Sequence, residues 1–121
     1  MMASKKIRVY DSLLFIRDPD VENIPEIDGL KLTWSTPDCV AVSCQSDSLG
    51  ETVVKLGRPA EDKVRQVLVF DGEINTPSRR VVVEDIHVER IFSLPVSSVR
   101  TRIRVWTDGA QDSEIVVIDA E

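Results

Sequence analysis

Three arginines at alternate positions, Arg100, Arg102 and Arg104, followed by Trp106, form the densest set of chemistry-bearing residues in the chain. Side chains on an extended strand alternate between faces, so this spacing lines three guanidinium groups and one indole along one face. Such a row of forked donors can grip a carboxylate-rich or phosphate-rich partner through paired hydrogen bonds. Acids on neighbouring strands, with Glu84, Glu89, Glu114 and Asp119 as candidates, can equally neutralise the row on an ordinary solvent face. Exposed pairs of that kind contribute little individually.

A second cluster is acidic. Asp18, Asp20, Glu22, Glu26 and Asp28 place five carboxylates within eleven residues. A calcium ion takes about six to eight oxygens, but the central glycine and closing glutamate of an EF-hand are missing, and Pro19 interrupts the alternation. The stretch reads as a solvated acidic loop. A role for it would be as a negative patch for a basic protein, with Asp18, Asp20 and Glu22 at its head.

The remaining candidates for chemistry are sparse. His87 is the only histidine, and Glu89 two residues on would share its face if the segment is a strand, giving half a metal site with no third ligand. It is expected to be a surface or hydrogen-bonded structural histidine. Cys39 and Cys44 lie five apart, which on a straight strand points their thiols to opposite faces and favours reduced, inert cysteines. The five glycines are scattered singly, so neither a phosphate loop nor a dinucleotide fingerprint is present. No catalytic, cofactor or metal site is assigned. A pair of carboxylates brought together by folding could still work on a glycosidic bond, although nothing points to one.

Charge narrows the partners. With a net charge of −6 and a pI near 4.8, the summed field repels nucleic-acid backbones and anionic membranes and would steer a basic protein toward the surface. The N-terminus lacks the apolar stretch of a secretory signal, and no window is long enough to span a membrane as a helix, which predicts a cytoplasmic protein.

The elements that must position these residues are strands. At 121 residues the chain fits one domain over 1–121, and β-branched Val and Ile dominate its apolar residues. A first long strand is expected from Lys6 to Ile16, with Ile7, Val9, Leu13 and Phe15 on one parity. Prolines 19 and 25 make the following segment a loop. Leu30, Leu32 and Trp34 alternate with Lys31 and Thr33 as a half-buried strand, and Cys39–Cys44 and Glu51–Leu56 follow as further strands.

A single helical turn could lie within Arg58–Lys63. Val64–Phe70 reads as a central strand ended by a hairpin signal at Asp71-Gly72. Ser78–Val83 and Ile86–Ser93 come next, joined tightly through Glu84-Asp85 and closed by Leu94-Pro95. Val99, Thr101, Ile103 and Val105 should face a core opposite the arginines. Asp108-Gly109 then turns into a last strand, Glu114–Asp119. Eight to nine short strands at this spacing predict an all-β fold, an antiparallel β-sandwich or flattened barrel.

The segment Ile86-His87-Val88-Glu89-Arg90-Ile91, with Leu94-Pro95, then Arg104-Val105-Trp106-Thr107 and the terminal Val117-Ile118-Asp119-Ala120, resembles the competence protein J family. Tyr10-Asp11-Ser12-Leu13-Leu14-Phe15 adds to the resemblance at the other end. Members of that family are cytoplasmic inhibitors of a DNA-entry nuclease, so the resemblance implies a non-enzymatic role through protein contact. It transfers no defined set of inhibitory residues.

Taken together these features predict a non-enzymatic protein-binding domain of inhibitor or immunity type, acting on a basic nuclease or toxin. Asp18, Asp20, Glu22, Trp34, Arg100, Arg102, Arg104 and Trp106 are the candidate partner contacts, with loops 18–28 and 108–114 as the contact edges. Two alternatives stay open: a structural β-module that pairs with a second copy as a homodimer, and a small-ligand carrier within a barrel.

Overall fold

The computed structural model of the chain describes residues 2–57, 66–87 and 90–121. Ten strands are present among them: β1 (Met2–Ile7), β2 (Leu13–Arg17), β3 (Thr33–Thr36), β4 (Cys39–Ser43), β5 (Thr52–Gly57), β6 (Val67–Asn75), β7 (Arg80–Glu84), β8 (Arg90–Pro95), β9 (Arg100–Thr107) and β10 (Ile115–Ala120). They form two five-stranded sheets, in the orders β1-β5-β10-β9-β6 and β3-β4-β2-β7-β8. The all-β expectation holds, as a sandwich rather than a barrel. The facing edges are linked by isolated hydrogen bonds, from Lys5 Nζ to the Ile91 carbonyl and from the Asn75 amide to the Pro37 carbonyl, and not by a ladder. The pairing is not wholly antiparallel, because β10 runs parallel to β5.

Alternation builds the core. Leu14, Ile16, Val40, Val42, Val81 and Val83 of one sheet meet Val54, Leu56, Ile103, Val105, Val116 and Ile118 of the other, all buried in one cluster. These are mainly β-branched side chains, whose stiff rotamers suit interdigitation between two pleated surfaces about 10 Å apart. The opposite parity of the second sheet faces outward. There Phe15, Trp34, Cys39 and Ala41 form a separate small cluster, with Leu13 packed against it. Cys44 belongs to the main core and Cys39 to the outer cluster, so the two free thiols do lie on opposite faces.

Several expected elements are corrected. The long first strand is two strands in different sheets, so Ile7 and Val9 do not share a face with Leu13 and Phe15. The chain crosses between sheets through a short turn at Tyr10–Ser12, where Asp11 and Ser12 both adopt left-handed φ values of 56° and 60°. The Ser12 carbonyl, turned by this corner, accepts the Cys44 amide at 2.9 Å. The strand expected at Leu30–Trp34 begins only at Thr33, and Leu30 is 90% exposed.

Asp71-Gly72 does not turn the chain. β6 runs through it, paired with β9 from Val67 to Asn75, with a bulge between Leu68 and Phe70. Glycine makes room there for the Phe70 ring, whose tip would lie 2.9 Å from a Cβ at Gly72 and would have to shift. Nor is β6 central: it is an edge strand, and Val67 and Leu68 are half exposed. Glu84 and Asp85 are buried rather than forming a tight turn, and Ile86 and His87 occupy the turn instead of a strand. The helical turn expected within Arg58–Lys63, residues 64 and 65 of the predicted strand, and Glu89 lie outside the described residues. Asp108-Gly109 does turn the chain into β10, with Gly109 at φ 87°.

Candidate functional site

The arginine row forms as expected on the outer face of the first sheet, and its neighbours neutralise it. Arg102 makes a two-pronged pair with Asp71, Nε to Oδ1 at 2.9 Å and Nη2 to Oδ2 at 2.8 Å. Arg100 lies 3.5 Å from Glu73. Arg104 donates to Asp119 and lies 3.6 Å from Glu121, with its guanidinium over the Trp106 ring. The forked hydrogen bond from Arg102 holds the Asp71 carboxyl below the usual carboxylate range, and the same contact raises Arg102. Four acids from β6, β10 and the C-terminal residue thus face three arginines across the strands. Of the acids proposed as partners, Asp119 is one; Asp71 and Glu73 come from β6, whose pairing with β9 was not foreseen. Trp106 is buried within this face.

The acidic loop has a different role on the other sheet. Residues 18–32 run as a strap over the outer face of the second sheet and roof the small apolar cluster. Asp18 is fully buried and anchors the strap: Oδ1 accepts the Asp20 amide, and Oδ2 accepts both the Ser78 amide and hydroxyl, each at 2.8 Å. Trp34 Nε1 donates to the Asp28 carbonyl at 2.7 Å, and Thr36 Oγ1 to the Asn23 carbonyl at 2.7 Å. Asp38 accepts from Asn23 Nδ2 at 2.9 Å and Asn75 Nδ2 at 2.8 Å, and these amide donors lower its carboxyl from the usual value. Asp20 and Glu22 remain exposed on the strap.

A groove of about 560 Å³ opens beside the strap. Its floor is Leu13 and Trp34, and its walls come from Ile27, Gly29 and Leu30 of the strap and from Leu49 of the β4–β5 loop. Leu30 and Leu49 are 90% and 67% exposed, far more than large apolar side chains need to be when they serve a core. Asp11 and Asp112 line the groove, and no lysine, arginine or histidine does so among the described residues. The two left-handed residues, Asp11 and Ser12, stand at its edge. Such conformations cost roughly 1–2 kcal/mol per residue and gather at sites of function.

Of the eight partner-contact candidates, the groove takes in Trp34 alone, together with Ile27 from the predicted edge 18–28 and Gln111 and Asp112 from the edge 108–114. Leu30 and Leu49 were missed. Leu30 read as the start of an alternating strand, and Leu49 as one large apolar residue within a polar loop, so neither stood out as a surface anchor.

His87 lies outside the groove. It packs edge-on against Tyr10, ring centroids 4.9 Å apart, and its amide donates to Asp85 Oδ1. Burial pushes both thiols up to about 12, which leaves them protonated and unreactive at neutral pH. Among the described residues no three His, Cys, Asp or Glu side chains converge on a metal position, and no helix is long and apolar enough to cross a membrane.

Fold and site together define a two-sheet β-sandwich with an acid-rimmed apolar groove on one outer face. That architecture is similar to ComJ from Bacillus subtilis, an inhibitor of the DNA-degrading activity of NucA, with a TM-score of 0.68 over 99% of this chain and 97% of that one, at 12% identity. It is also similar to the product of crocagin biosynthetic gene J, with a TM-score of 0.52 over 97% and 94% of the two chains, at 14% identity. The fold implied by the sequence resemblance is therefore the fold observed. No protein-family model and no curated protein sequence matches the chain.

Proposed function

We propose that this chain is a non-enzymatic binding domain that inhibits a basic protein, of nuclease or toxin type, by seating it in the groove beside the strap. The observation that carries the reading is the pair Leu30 and Leu49, held out into solvent around Trp34 on a rim whose charged groups, among the described residues, are carboxylates. Apolar anchors at the centre and one sign of charge at the rim are the features of a surface that docks a protein of opposite charge. The net charge of −6 supports a basic partner over a nucleic acid. Similarity of fold to a nuclease inhibitor supports the nuclease class.

The test is affinity capture from the native host with the wild-type chain and with Leu30→Asp and Leu49→Asp, followed by activity assays of the captured enzyme. A basic nuclease recovered with the wild type, inhibited at equal stoichiometry and released as salt rises, is the expected result. Each variant should weaken inhibition by about tenfold or more, as loss of a central anchor does. Recovery of self alone, or variants that inhibit as well as wild type, would sink the reading.

One observation favours a second reading. β6 is an edge strand with Val67 and Leu68 half exposed, a surface on which a second copy could add a strand. Sedimentation at high concentration separates the two: a mass of 13.6 kDa removes the dimer.

A further inference from the structure

On the far side of the strap from the groove lies a second cleft of about 390 Å³, between the strap and the β7–β8 turn. Glu84 contributes to its lining and is only 2% exposed. Its Oε1 stands 3.0 Å from Arg17 Nη2, but Oε2 has no hydrogen-bond partner among the described residues. Arg17 is already committed elsewhere: its Nη1 faces the carbonyls of Asp18, Pro19 and Val21, at 3.3, 3.4 and 2.9 Å. A buried carboxylate oxygen without a donor is rare, because its lost hydration goes uncompensated.

The surroundings decide which donor would complete it. Among the described residues, Glu22, Glu84 and Asp85 line the cleft against one cation, Arg17, so the carboxylates outnumber it and the lining is net negative. An anionic ligand is repelled and a cationic one attracted. The rest of the lining is apolar: Phe15, with Ile24 on the strap and Ile86 on the turn. An aliphatic stem can lie along these while its charged head reaches the carboxylate, as long basic side chains commonly do. Ile24 and Ile86 are both half exposed, so the cleft is open at the rim and does not enclose a free small molecule. It lies on the same sheet face as the proposed docking groove, since Leu13 serves the groove and Phe15, two residues on along β2, serves the cleft.

We propose that this cleft is the receptor for one basic side chain, arginine or lysine, of the protein partner, with Glu84 Oε2 as its acceptor. The assignment rests on the reading that the domain docks a basic protein, but its test does not require that partner. Methyl and amide resonances of the full chain would be followed by NMR during titration with N-acetyl-arginine amide, N-acetyl-lysine amide, the uncharged isostere N-acetyl-citrulline amide, and the free diamine cadaverine.

Saturable shifts at Ile24 and Ile86 with the arginine or lysine derivative, at least tenfold weaker with citrulline and lost in Glu84→Gln, are expected. Should Glu84→Gln fail to fold, Ile24→Ala and Ile86→Ala at the exposed rim serve instead, each weakening arginine binding several-fold. No saturable shift, an equal response to citrulline, or rim variants that bind as wild type would overturn the assignment. Cadaverine binding more than tenfold tighter than both blocked residues would overturn it in favour of a free amine. Saturable arginine binding in a chain that captures no basic protein would sustain the cleft and sink the inhibitory reading alone.

Discussion

The two sheets present outer faces of opposite character. On the first, the arginine row meets Asp71, Glu73, Asp119 and Glu121, and each of its three guanidinium groups finds a counter-charge within the chain. On the second, a strap roofs a small apolar cluster and, among the described residues, leaves Leu30 and Leu49 exposed and the Oε2 atom of Glu84 without a donor. The more conspicuous charge pattern therefore belongs to the face that is already complete. Binding capacity is better judged by what remains unsatisfied than by what is abundant, since an exposed internal pair has little left to offer a partner.

The strongest test of this contrast is truncation at the centre of each face. Trp34→Ala removes the groove floor and the largest member of a four-residue cluster, and should cost about 3–5 kcal/mol, read as a lower urea midpoint at unchanged slope. Arg100→Ala breaks a pair whose side chains are 66% and 54% exposed, and should stay within about 0.5 kcal/mol. Equal costs at the two positions would mean that the strapped cluster is not a packed unit.

Within the strap, charge alone does not set importance. Asp18→Ala removes the buried acceptor that three donors share and should cost about 2–3 kcal/mol, whereas Asp20→Ala, two residues on and exposed, should fall within about 0.5 kcal/mol. Urea unfolding of both variants makes the comparison. If Asp20→Ala proved the costlier, the loop would be an electrostatic patch throughout and not an anchored strap.

How much of this was legible depends on where period-2 alternation continues unbroken. Thr101, Ile103 and Val105 opposite Arg102 and Arg104 announced β9, its buried face and its charged face together. The five-residue separation of Cys39 and Cys44 likewise carried its geometry with it. The break between β1 and β2 had no such mark, because Asp11 and Ser12 take left-handed conformations that sequence associates with glycine or asparagine. Asp71-Gly72 misled for the converse reason: a glycine that makes room for the Phe70 ring looks the same in sequence as one that makes a turn. The groove was hardest to foresee, since Leu30 completed an apparent alternation with Leu32 and Trp34 and only the fold shows it facing water. Of the loops read as contact edges, Ile27 and residues 111–112 line the groove, while the anchors Leu30 and Leu49 lie outside both loops.

The cysteines report on the two regions separately. Cys39 lies under the strap and Cys44 in the main core, both fully buried and both held protonated by burial, with values near 12. A small cluster roofed by a loop opens locally at lower cost than the shared core of two sheets. At pH 8 without denaturant, a thiol reagent should therefore label Cys39 at least about tenfold faster than Cys44, a gap of roughly 1.4 kcal/mol in opening free energy. Mass mapping of the first-labelled peptide checks this. Simultaneous labelling would show that the strap and the core open as one unit.

The smallest effect, and the one that separates the faces by mechanism, concerns a lowered carboxylate on each. Asp71 is held down first by its hydrogen bond to Arg102, and Asp38 first by the amide of Asn23 and then by that of Asn75. In both cases the unfolded chain binds the proton more readily, so the contribution is complete above the unfolded value of about 3.9 and is lost as pH falls through the lower folded value. Both groups are solvent-facing, and the shifts in urea midpoint should be slight. Salt tells them apart: at 1 M the screening length shrinks to about 3 Å, which weakens the ion pair of Asp71 but not the neutral amide contacts of Asp38. Asp71→Asn should then match wild type from pH 2 to 7 in 1 M salt, while Asp38→Ala keeps its deficit above pH 4. If salt erased both deficits alike, the strap would be held by charge rather than by hydrogen bonds, and the contrast between the two faces would fail at its base.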